Sequence, residues 1–189
     1  MPLNLPNTLT LLRVAAIPLL VLFANLEAPW GNWGAAALFG AAALTDWVDG
    51  WLARRSGQTT AFGAFLDPVA DKLIVATALV LLTARFDDLL ITLSACVIIG
   101  REIVVSALRE WMARLGREAS VAVTNVAKIK TTIQMIAISF LLLLLPAQAH
   151  TFWFYFMEVV LLVAVLLTLW SMIVYLRTFF RVIQETDGS

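Results

Sequence analysis

The chain has 189 residues, 61% of them hydrophobic and only 14% charged, where an ordinary soluble domain carries about a quarter. With a mean hydropathy of +0.91, this composition excludes a soluble globular enzyme and a disordered tail, and it implies a polytopic membrane protein. Thirteen basic and thirteen acidic residues cancel, so no overall basic field suggests a nucleic-acid partner.

Six apolar stretches are expected to be helices, giving an all-α membrane fold. Residues 1–10 precede the first. They contain Pro2 and Pro6 but no Lys or Arg, so they lack the basic start of a signal peptide. Leu3, Leu5 and Leu9 interleaved with Asn4 and Asn7 predict a short segment lying along the membrane surface. The stretches run over residues 11–26, 35–53, 65–84, 89–111, 126–145 and 152–180. Residues 29–32 and 146–148 read as turns, and residues 56–60 as a polar loop. At about 20 residues per span, six spans use about 120 residues. The connections are then short, and residues 1–189 form a single membrane domain.

Orientation follows from the basic residues. With the N-terminus inside, twelve of the thirteen Lys and Arg fall at cytoplasmic ends and only Arg85 falls outside. Both termini are expected in the cytoplasm. Arg101 is the least typical of the twelve, lying two turns or more inside its helix. Trp30, Trp33, Phe152, Trp153 and Phe154 gather at the outer face as interfacial anchors. The single Cys96 is expected as a small packing residue. His150 reads as an exposed loop residue, and Glu158 as a paired or interfacial acid. Glu102 and Glu110 each follow an arginine and are expected in local ion pairs. Gln134 and Ser139 are expected to bond helix to helix.

The chemistry concentrates in residues 44–74. The second stretch ends with Asp46 and Asp49, and the third begins with Asp67 and Asp71. Pairs spaced i,i+3 and i,i+4 share a helix face, so each pair points one way and the hairpin brings the pairs together. Acids at a membrane cost roughly 2.5–3.5 kcal/mol each, and something must offset that. Arg54, Arg55 and Lys72 can do part of it. Divalent cations do it better, and oxygen ligands without Cys or His suit Mg²⁺ or Mn²⁺ rather than zinc. Gly50, directly after Asp49, and Gly63, one turn before Asp67, leave room for a ligand to approach the backbone. The competing structural reading is salt bridges to the loop arginines, with glycines easing helix packing. A cation transporter would also use intramembrane acids, but near the midplane and on several helices. Here they lie on one hairpin at one surface.

Asp46, Asp49, Gly50, Ala53, Arg54, Gly63, Asp67 and Asp71 meet every spacing of D-x2-D-G-x2-A-R-x8-G-x3-D-x3-D. That pattern resembles the signature of the CDP-alcohol phosphatidyltransferase family. The opening run at residues 4–13, the run at 62–72, Arg101-Glu102-Ile103, the run at 107–112 and the run at 128–134 look like its bacterial phosphatidylglycerophosphate-forming branch.

The resemblance implies six transmembrane helices in the bacterial inner membrane, often a homodimer, with the site facing the cytoplasm. It implies transfer of a phosphatidyl group from CDP-diacylglycerol to an alcohol, with release of CMP. In the phosphatidylglycerophosphate branch the alcohol is sn-glycerol 3-phosphate; inositol phosphate, serine or a second lipid are the alternatives. It assigns two Mg²⁺ or Mn²⁺ ions to Asp46, Asp49, Asp67 and Asp71, with Asp71 also the general base. Asp46, Gly50, Ala53, Arg54 and Gly63 would line the site of the cytidine nucleotide. Arg101, Arg109, Lys128 and Lys130 are expected to hold the acceptor phosphate, one of the two lysines facing it.

Overall fold

The computed structural model describes residues 5–56, 61–114 and 125–187. They form α1 (Leu5–Ala24), α2 (Pro29–Ser56), α3 (Ala61–Phe86), α4 (Leu89–Arg114), α5 (Asn125–Leu143), a 3₁₀ turn (Pro146–Gln148) and α6 (Phe152–Asp187). No strand occurs among the described residues. Pro29 opens α2 at a position where its missing N–H costs nothing. Residues 29–32, expected as a turn, are therefore the first turn of that helix. Pro68 lies inside α3 between Asp67 and Asp71 and removes one main-chain hydrogen bond there.

α1 packs against both α2 and α3, which touch each other much less. α5 joins α2 to α6, and α4 lies on α3 and α6. The α1–α2 approach depends on missing side chains. A Cβ on Gly31 would stand 2.7 Å from the Phe23 carbonyl oxygen, and one on Gly34 would stand 2.6 Å from the Phe23 ring. The core runs through Leu20, Phe39, Leu79, Ile98, Ile138 and Leu161, all buried. The outside is apolar too: Leu22, Val80, Ile103, Ile136 and Trp170 are exposed. Contiguous apolar surface of this kind marks a lipid-facing or partner-facing exterior. α4 and α6 contain segments long and apolar enough to cross a membrane, and Thr8–Ala24 and Ile129–Leu143 are shorter apolar helices.

Several expectations change here. No break separates the N-terminal segment from the first apolar run, because α1 begins at Leu5 and continues to Ala24. Leu5 and Leu9 therefore belong to the same helix as the run that follows, and residues 1–4 lie outside the described residues. Phe154 is no surface anchor: it is fully buried, 5.0 Å from the Phe86 ring centre. Trp30, Trp33, Phe152 and Trp153 are exposed as expected. Cys96 lies on the exposed face of α4 rather than in the core. Glu110 pairs with Arg114, one turn on at 2.6 Å, rather than with Arg109. The loop expected at 56–60 falls at 57–60 outside the described residues, Ser56 being the last residue of α2.

At the end of the bundle away from Asp67 and Asp71, Asp88 accepts from the backbone N–H of Leu90 at 2.7 Å and of Ile91 at 3.1 Å, capping α4. Burial pushes its carboxyl up, but hydrogen bonds from Ile91, Glu158 and Leu90 and the nearby His150 outweigh that and hold it below the ordinary carboxylate range. Arg85, the one Arg or Lys at this end among the described residues, donates to the carbonyls of Ala24 at 2.7 Å and Leu142 at 2.9 Å. It thereby satisfies main-chain acceptors at the ends of α1 and α5 that have no helical donor. Arg85→Leu should lower stability by about 2–4 kcal/mol, since charge-assisted bonds are lost and acceptors stay unpaired. Thermal unfolding in detergent measures this, and an unchanged midpoint would mean water replaces the guanidinium.

Candidate functional site

Asp67 and Asp71 stand one turn apart on α3 and face α1. The Thr10 hydroxyl donates to Asp67 Oδ1, and Arg13 Nη1 donates to Asp71 Oδ1 at 2.6 Å. The Arg13 side chain is 2% exposed against 35% for Asp71. The pair is therefore closed on the α1 side and open on the other, leaving Asp71 accessible to a reactant. Thr10 and Arg13 lie three apart on α1, so they share a face and meet the Asp67–Asp71 face turn for turn.

Sequence reasoning assigned neither Thr10 nor Arg13 to the site. Arg13 counted only as a positive-inside residue. Its position inside an apolar run was the available signal, because an arginine there requires an acid or carbonyl partner. Lys72, expected to offset the acids, instead donates to the Ser106 hydroxyl on α4. Gly63 is buried in the first turn of α3. Asp46, Asp49, Gly50, Ala53 and Arg54 lie on the last turns of α2, and Lys128 on the first turn of α5. Their side chains are outside the described residues.

The basic residues of α4 and α5 divide by environment. Arg101 is buried, forms an ion pair with Glu102 and donates to Ser171 on α6 at 3.3 Å. Its Nε is buried with no hydrogen-bond partner. Arg109 is exposed, donates to the Tyr175 hydroxyl at 3.1 Å and lies 5.6 Å from that ring's centre, a cation–π distance. Lys130 is buried within electrostatic reach of Arg101, Glu102 and Arg109. The structure thus gathers these three of the four expected cations, with Glu102 as their common acid.

A cavity of about 140 Å³ borders Asp71 and reaches Glu102, the acid of the cationic group. Arg13, Asp71, Lys72, Glu102, Thr131 and Gln134 supply its polar lining. Phe39, Ile74 and Met135 supply apolar walls. Gln134, expected to bond helix to helix, makes no hydrogen bond among the described residues and faces this space instead. A reactant entering the cavity meets Asp71 and Glu102, with Arg13 and Lys72 as the cations of the lining.

Residues 3–177 match the CDP-alcohol phosphatidyltransferase family. The proteins named CDP-diacylglycerol–glycerol-3-phosphate 3-phosphatidyltransferase from Escherichia coli strain K12 and from Shigella flexneri serotype 5b are each 50% identical to this chain over 177 residues. Those matches cover 93% of this chain and 94% of each relative. The carboxylate signature, the all-helical architecture and these likenesses agree, and the chain belongs to the CDP-alcohol phosphatidyltransferase family.

Proposed function

We propose that the chain transfers the phosphatidyl group of CDP-diacylglycerol to sn-glycerol 3-phosphate, giving phosphatidylglycerophosphate and CMP. One observation carries this reading above the others: a small cavity adjoins Asp71 and reaches Glu102, the acid paired with Arg101 and within electrostatic reach of Lys130, in a chain half identical to relatives named for that transfer. A phosphorylated acceptor suits such a cavity better than serine or a lipid alcohol.

In this reading the protein is one domain of six spans in the bacterial cytoplasmic membrane, a homodimer with both termini and the site on the cytoplasmic side. The twelve-to-one distribution of basic residues supports the orientation.

The described donor set near the site is oxygen-rich, and Asp67 and Asp71 offer carboxylates from one face of α3, which fits a hard divalent ion. Asp46, Asp49, Asp67 and Asp71 would hold two Mg²⁺ or Mn²⁺ ions, supplying positive charge for the donor's diphosphate and the departing CMP. Gly50, Ala53, Arg54 and Gly63, with Asp46, would accommodate the cytidine nucleotide.

The remaining work falls to the chain's own groups. Arg13 holds the Asp71 carboxylate in place through Oδ1. The carboxylate takes the proton of the acceptor's terminal hydroxyl as that hydroxyl's oxygen bonds to the lipid-side phosphorus. The bond from that phosphorus to the CMP oxygen breaks, and its electron pair leaves with CMP. Arg101, Arg109 and Lys130, the lysine of the pair that faces them, bind the acceptor phosphate and hold the hydroxyl at attacking distance.

The test is CMP release by purified protein supplied with CDP-diacylglycerol, Mg²⁺ or Mn²⁺, and separately glycerol 3-phosphate, inositol phosphate or serine. Glycerol 3-phosphate should be used far faster than the others, and excess EDTA should stop the reaction. A different preferred alcohol would replace the acceptor, and full activity in EDTA would remove the ions.

A further inference from the structure

We propose that Gln134 reads the acceptor's middle hydroxyl, the one that neither carries phosphate nor attacks. This rests on the acceptor proposed above and adds what distinguishes it from other alcohol phosphates.

Gln134 is 8% exposed, lines the cavity beside Asp71, and makes no hydrogen bond among the described residues. A primary amide can donate twice and accept twice. The amide atoms of Gln134 open to the cavity rather than being sealed in the protein, so a ligand there can complete them.

Its position fits a three-carbon polyol. Gln134 lies one turn beyond Lys130 on the same face of α5, with Cβ atoms about 5–6 Å apart. That separation suits a phosphate at Lys130 and a hydroxyl on the next carbon but one. Asp71 borders the same cavity and receives the terminal hydroxyl. With the phosphate directed to Lys130, the middle hydroxyl would fall at Gln134 and the attacking hydroxyl at Asp71, the order in which they occur along the glycerol chain.

The other lining groups serve the middle hydroxyl less well. Phe39, Ile74 and Met135 cannot hydrogen-bond it, Glu102 is held by Arg101, and Thr131 is exposed. A neutral amide also admits a polyol without adding a third carboxylate to Asp71 and Glu102.

The probe is 3-hydroxypropyl phosphate, which is glycerol 3-phosphate without its middle hydroxyl. Unaltered protein should favour glycerol 3-phosphate in kcat/KM by about 10–100-fold, the preference expected when a buried amide loses its hydroxyl partner. Gln134→Met keeps the side chain's size and should bring that ratio close to one. Gln134→Asn, which withdraws the amide by one methylene, should narrow it as well. Each ratio is taken within one preparation, so partial misfolding cancels. If the unaltered protein uses both acceptors equally, or if Gln134→Met keeps the full preference, the inference is overturned while the transferase reading stands. If neither acceptor releases CMP but another alcohol does, the proposed acceptor itself is wrong.

Discussion

Asp71→Asn should lower kcat for CMP release by about 10²–10⁴-fold, the contribution usual for a positioned general base. The amide keeps the shape of the side chain and an oxygen that Arg13 can reach, but it cannot take the acceptor's proton. The same change should reduce stability. Arg13 is 2% exposed, and neutralising Asp71 takes an ion-pair partner from a buried guanidinium, a loss of up to about 3–5 kcal/mol.

Asp67→Asn separates the two effects. Thr10 donates to Asp67 through a neutral hydroxyl, which an amide oxygen accepts equally well. Asp67→Asn should therefore stay close to the unaltered protein in thermal unfolding while still losing most of its activity through the proposed metal site. Rates at saturating substrate and unfolding midpoints, measured on both variants, decide this. A folded Asp71→Asn protein with a near-normal rate would end the base assignment. An Asp67→Asn protein that is active would take Asp67 out of the ligand set.

The helices were legible because their signal is long and repeated. Stretches such as 89–111 and 152–180 leave a 20-residue apolar run no alternative to helix, and α4 and α6 cover them. The breaks were less legible, since a proline can open a helix as well as end one. Pro29 opens α2, whereas Pro146 begins the short turn before α6. In the site, Asp67 and Asp71 were readable from an i,i+4 spacing that is local in the chain. Their partners were not, because Thr10 and Arg13 reach them across 57 and 58 residues. Nothing in a local pattern states which helix a third helix lies against. The partner of Glu110 shows the same limit at short range: adjacency suggested Arg109, but neighbours one apart point to different sides of a helix, and Arg114 one turn on holds it instead. Arg109 turns to Tyr175 on α6.

Lys130→Gln should raise the KM for glycerol 3-phosphate by about 10–100-fold, the loss expected for one charge-assisted hydrogen bond to a phosphate, with the KM for CDP-diacylglycerol almost unchanged. The argument is one of charge balance. Arg101, Arg109 and Lys130 act on one another with Glu102 as the acid among them, so the cluster carries an excess of two positive charges. A phosphate monoester carries about −1.5 to −2 at neutral pH, which closes that balance. Glu102 is already paired with Arg101, so Lys130 is the buried cation left for a ligand. Removing it relieves repulsion in the ligand-free protein, and Lys130→Gln should unfold at the same temperature as the unaltered chain or higher. Arg101→Gln differs in that Glu102 loses its partner, so stability should fall together with acceptor affinity. Arg109→Gln should have the smallest effect, because Arg109 is exposed and stacked on Tyr175. A Lys130→Gln protein that loses affinity equally for both substrates, or for neither, would place the acceptor phosphate away from α5.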